Sequence, residues 1–111
     1  MTTTNQRIAE IMGWQECVPR TTILQLYQTH TGIKVHLPDF QNDIGAFFKW
    51  CVPYIQQDHA TIIVESMYLR GYRVSIQLGT DEAPRYITMD ETNPAQAACN
   101  AFLEWADGRG K

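Results

Sequence analysis

The run Tyr72-Arg73-Val74-Ser75-Ile76-Gln77-Leu78 alternates large apolar and polar side chains without a break. A period of two puts the two sets on opposite faces of a β-strand. Such a strand needs a sheet with one buried and one wetted face, which antiparallel pairing supplies. Downstream, "GTDEAP" is turn material and "RYITM" reads as the partner strand. Asn93, Pro94 and Gln96 then open a closing helix: a cap, a proline at the first helical position, and a glutamine three residues after the cap. Ala95, Ala98, Cys99, Phe102 and Ala106 form its apolar stripe, and the alanines let it lie close to the sheet.

Upstream, "LPDFQND" (residues 37–43) gathers a proline, a ring, two carboxylates and two amides between two apolar runs. Pro38 ends an extended segment. Asp43 stands directly before Ile44, Phe47, Phe48, Cys51, Val52 and Ile55, an apolar set at helical spacing, and is expected to cap that helix. Pro53 should kink or break it. Asp58 is expected to reopen a helix that continues through "TIIVESMYLR" to a stop at Gly71. Near the start, Asn5 is expected to cap a short helix containing Ile8, Ile11 and Met12, with Gly13 as its stop. Between them, "TTILQLYQ" and "IKVHL" read as two strands flanking the turn "THTG".

With 111 residues the chain has the size of one domain, 1–111, with residues 107–111 as a loose tail. Nine Lys+Arg against twelve Asp+Glu give a net charge of -3, a poor electrostatic match for duplex DNA or an anionic membrane. No apolar run is long enough to span a bilayer and no leader pattern opens the chain. Three scattered cysteines among apolar neighbours fit a reduced, cytoplasmic protein without disulfides.

Three segments, "LPDFQNDIGAFFKW", "GYRVSIQLG" and "RYITMDETNPAQAACNAFLEW", resemble the phage ABA sandwich domain, a family of small phage and prophage proteins, over residues 33–106. The resemblance implies an α+β fold: a three-layer α/β/α-like sandwich with a small, mainly antiparallel sheet of three or four strands and helices packed on it. It also implies a phage or prophage gene, and hence the cytoplasm of a bacterial host.

No phosphate-binding, nucleophile-elbow or dinucleotide-binding pattern occurs. His36, Asp39 and Asp43 can be drawn as metal ligands, but they lack the spacing of the common zinc and calcium motifs, so no metal and no cofactor is expected. Cys51 and Cys99 fall on apolar helix faces, where packing is the expected role. Trp14, Tyr27, Phe40, Trp50, Tyr54, Tyr68, Tyr72 and Tyr86 make an aromatic-rich set. Most are expected to pack sheet against helix. Phe40 and Tyr72, beside Asn42, Arg70 and Arg73 with His36 and Asp39 nearby, form the candidate ligand site, since rings next to guanidinium and amide groups suit a planar anionic ligand.

The expected function is therefore non-catalytic: a phage accessory protein that sequesters a nucleotide-like immune signalling molecule in counter-defence, or that inhibits a host protein. The alternatives are a small hydrolase using His36 and Asp39, and a structural phage component. The unpaired edges of a small sheet suggest a homo-oligomer.

Overall fold

The computed structural model describes residues 3–17, 26–67, 71–79 and 84–109. The alternating run becomes β5 (Gly71–Gly79), the middle strand of an antiparallel sheet with β4 (Thr61–Met67) and β6 (Pro84–Glu91). Its register puts Ile62, Ile76 and Ile87 in one row and Val64, Val74 and Met89 in the next. These rows share a face, and α4 (Pro94–Arg109) packs on it over β5 and β6, burying Val74 and Ile76 completely. The opposite face carries exposed Thr61, Ile63, Glu65, Arg73, Tyr86, Thr88 and Asp90.

The Asn93 side chain accepts the Ala95 N–H at 2.8 Å, so the expected cap is in place. The buried stripe of α4 is wider than expected and adds Ala97, Ala101 and Trp105. The reason is a second packed side: α4 also meets α1 (Thr4–Ile11), α2 (Ile44–Ala46) and the π-helical turn Phe47–Cys51. A helix buried from two directions must be apolar on both. A second antiparallel sheet, β1 (Gln15–Glu16), β2 (Leu26–Gln28) and β3 (Lys34–His36), sends Tyr27 into the core. The fold is α+β and sandwich-like, with two three-stranded antiparallel sheets and helices packed against them.

Several local expectations are corrected. Thr61–Met67 is a strand, not a continued helix. Thr61, Ile62, Ile63 and Val64 are all β-branched, stiff in a helix and suited to a pleated surface. Gly71 accordingly serves the β4–β5 hairpin instead of ending a helix. Its φ is +90°, and a Cβ there would sit 2.5 Å from the Glu91 carbonyl oxygen. Thr3, not Asn5, caps α1, in a reciprocal box with Gln6. The expected stop at Gly13 holds, with φ +81°.

Pro53 does not break its helix. The Val52 N–H reaches back five residues to the Phe47 carbonyl, and Pro53 falls in the first turn of α3 (Val52–Gln56), where a missing donor costs little. The inserted residue shifts the helical phase, so Phe48 is exposed while Phe47, Cys51 and Ile55 are buried. At the other end, α4 runs on to Arg109, so Asp107 belongs to a helix instead of a loose tail and binds Arg7 at 2.7 Å.

Candidate functional site

The loop before α2 is a structural strap. Asp39 Oδ1 accepts from the Asn5 amide at 3.1 Å and Oδ2 from the Asn42 amide at 3.0 Å, while Asn5 Oδ1 takes the Gln41 N–H at 3.2 Å. These donors, Asn42 first and then Asn5, hold the Asp39 carboxyl below its usual range. Asp43 accepts the Ala46 N–H at 3.3 Å, the expected helix cap. Phe40 is fully buried, with its ring centroid 6.1 Å from that of Trp14. It is a core ring and cannot meet a ligand. His36 is exposed at the end of β3.

The remaining candidates lie on the other sheet. Tyr72 and Arg73 are neighbours on β5 and so face opposite sides. Arg73 grips Asp90 through two hydrogen bonds, Nε to Oδ1 at 2.8 Å and Nη2 to Oδ2 at 3.1 Å. Arg70 lies outside the described residues. The described members of the set chosen from sequence thus divide into a strap, a core ring, exposed His36 and, on β5, Tyr72 and the Arg73–Asp90 ion pair on opposite faces, and do not converge on one site.

Cys51 and Cys99 are buried, and burial pushes both thiols up, Cys99 to about 12. Neither is poised as a nucleophile. Among the described residues no group of three or more His, Cys, Asp and Glu side chains could hold a metal ion, and no helix is long and apolar enough to cross a membrane.

Three segments far apart in sequence do converge. A cleft of about 700 Å³ opens where the end of α3, the β5–β6 hairpin and the last turns of α4 meet. Leu78, Ile87 and Trp105 make its apolar floor; Gln57, Asp58, His59, Arg85 and Glu104 make its polar rim. The rows that build the sheet core explain the floor, because Leu78 and Ile87 continue the core face of β5 and β6 beside the last turns of α4. Alternation turns the Tyr86 ring to the opposite face, where it is 54% exposed. His59 holds a left-handed backbone, φ +62°, with its N–H on the Gln56 carbonyl at 3.0 Å. A non-glycine residue in that conformation stores strain, and such strain concentrates at functional positions. Sequence reasoning missed His59, Glu104 and Trp105 as site residues, since nothing in their spacing ties 57–59 to 104–108.

No protein-family model, no curated protein and no solved structure matches the chain.

Proposed function

We propose that the protein binds a small nucleotide-like molecule in this cleft without converting it, as a phage or prophage accessory protein that sequesters a host signalling molecule. The observation that carries the reading is the cleft itself, an apolar floor ringed by groups of both charges. A planar base can lie against the half-buried side chains of Leu78 and Ile87. Arg85 and His59 offer donors to phosphate, while Asp58 and Glu104 offer acceptors to sugar hydroxyls or amino groups. Its size suits a ligand of that class.

The hydrolase alternative drew on His36 and Asp39, and neither lines the cleft: His36 ends β3, and Asp39 is held by the Asn5 and Asn42 amides. The protein is further read as a homo-oligomer joined through β4. Ile63 and Val64, on opposite faces of this sheet-edge strand, are 36% and 37% exposed. Antiparallel pairing of two copies centred on Val64 would set Glu65 opposite Ile63, with no like charges facing.

Equilibrium filtration with an excess of protein over adenosine monophosphate tests the reading, followed by boiling of the retained fraction. Sequestration returns the nucleotide intact and in proportion to protein; product formed at trace protein would establish a hydrolase instead.

A further inference from the structure

A second cleft, of about 220 Å³, lies on the other side of α3. Trp50, Tyr54 and buried Trp14 line it, together with Lys49 and His30. The rings are fixed: Trp14 meets Trp50 edge-on at 5.2 Å, and the Lys49 ammonium sits 5.0 Å from the Trp50 ring centroid. Gln57 borders both clefts. The wall between them is one aromatic pair thick, Tyr54 on one side and Trp105 on the other, with centroids 6.0 Å apart.

We propose that the two clefts are halves of one bipartite site for a dinucleotide-like ligand, two planar rings joined by a phosphate linker that crosses at Gln57. This rests on the reading of the larger cleft as a nucleotide site. Three observations carry the extension. The large cleft has an apolar floor at half-buried Leu78 and Ile87, and the small one the half-buried rings of Trp50 and Tyr54, so each can take one ring. The exposed turn of Gln57 is the shared border, so a linker can pass from one to the other. A cation borders each cleft, Lys49 on the small one and Arg85 on the large one, as an anionic linker between them requires. The small cleft alone is below the usual size for a small-molecule site. As the second half of a linked pair it gains from the effective concentration set by the first.

Calorimetric titration with two probes, adenosine monophosphate and adenylyl-(3′→5′)-adenosine, tests this. The dinucleotide should bind at least about tenfold more tightly than the mononucleotide. Lys49→Gln, at an exposed position, and Trp50→Phe should each remove most of that gain and leave mononucleotide affinity unchanged, whereas Arg85→Gln should weaken both probes. Equal affinity for the two probes, or a gain that survives both small-cleft variants, would overturn the bipartite site while leaving the single cleft standing. Failure of both probes to bind would overturn the two readings together.

Discussion

Tyr54 meets Trp105 edge-on, with ring centroids 6.0 Å apart and planes at 88°, and its hydroxyl donates to the Ile11 carbonyl at 3.0 Å. One side chain therefore ties α3 to α1 and to α4 while walling the two clefts apart. Tyr54→Phe keeps the ring and loses the hydroxyl. Chemical denaturation should show a loss of about 1 kcal/mol. Tyr54→Ala, which also opens a cavity between α3 and α4, should cost about 3 kcal/mol or more.

The Asp43 cap predicts a second, smaller effect. Asp43→Ser preserves an acceptor for the Ala46 N–H and should leave stability within a few tenths of a kcal/mol; Asp43→Ala should lose about 1 kcal/mol. Because Asp43 is outside both clefts, nucleotide affinity should be the same in all three proteins.

Much of this framework is legible in the sequence because it is local. Alternation over Tyr72–Leu78 gave a central strand, Asn93 and Asp43 cap as their positions imply, and Gly13 ends α1. β4 is not legible from periodicity because "TIIVESM" does not alternate in residue type, although in the sheet Ile62 lies over the core while Thr61 and Ile63 face solvent. Its β-branched content was the better signal. The π-helical turn depends on how Val52 and Pro53 settle against the core, which no spacing rule records. The site was misplaced for a related reason. Residues 36–43 crowd polar groups in sequence, but their hydrogen bonds close on one another and on Asn5. The cleft groups gather only once the β5–β6 hairpin and α4 have folded back beside α3.

The thiols give a pH signature. Folded Cys99 is held protonated up to about 12 against an ordinary value of 9.0, and Cys51 is shifted the same way. A raised folded pKa contributes stability below the unfolded value and loses it as pH rises toward the folded one. The melting temperature should therefore fall from about pH 9 upward, and less steeply in Cys99→Ala. In native protein at neutral pH, a disulfide reagent should label half-buried Cys17 first, with Cys51 and Cys99 about a hundredfold slower.

Asp39 acts in the opposite direction. Its lowered carboxyl pKa contributes stability above the unfolded value of 3.8, and that contribution is lost as pH falls through the folded value. Asp39→Asn removes the titration, so its thermal stability should decline less than the wild type's below about pH 4.

The β4 edge predicts an assembly that one charge disrupts. Analytical ultracentrifugation should give a dimer for the wild type and a monomer for Val64→Lys, with matching far-ultraviolet circular dichroism. A wild-type monomer at high micromolar concentration would remove β4 as an interface.

The location of a bound nucleotide tests the central claim most directly. Backbone amide chemical shifts, followed while adenosine monophosphate is titrated in, should change in three separated segments, around Gln57–His59, Leu78–Ile87 and Glu104–Gly108. Shifts confined to the strap at residues 36–43, or no shifts at millimolar nucleotide, would contradict it.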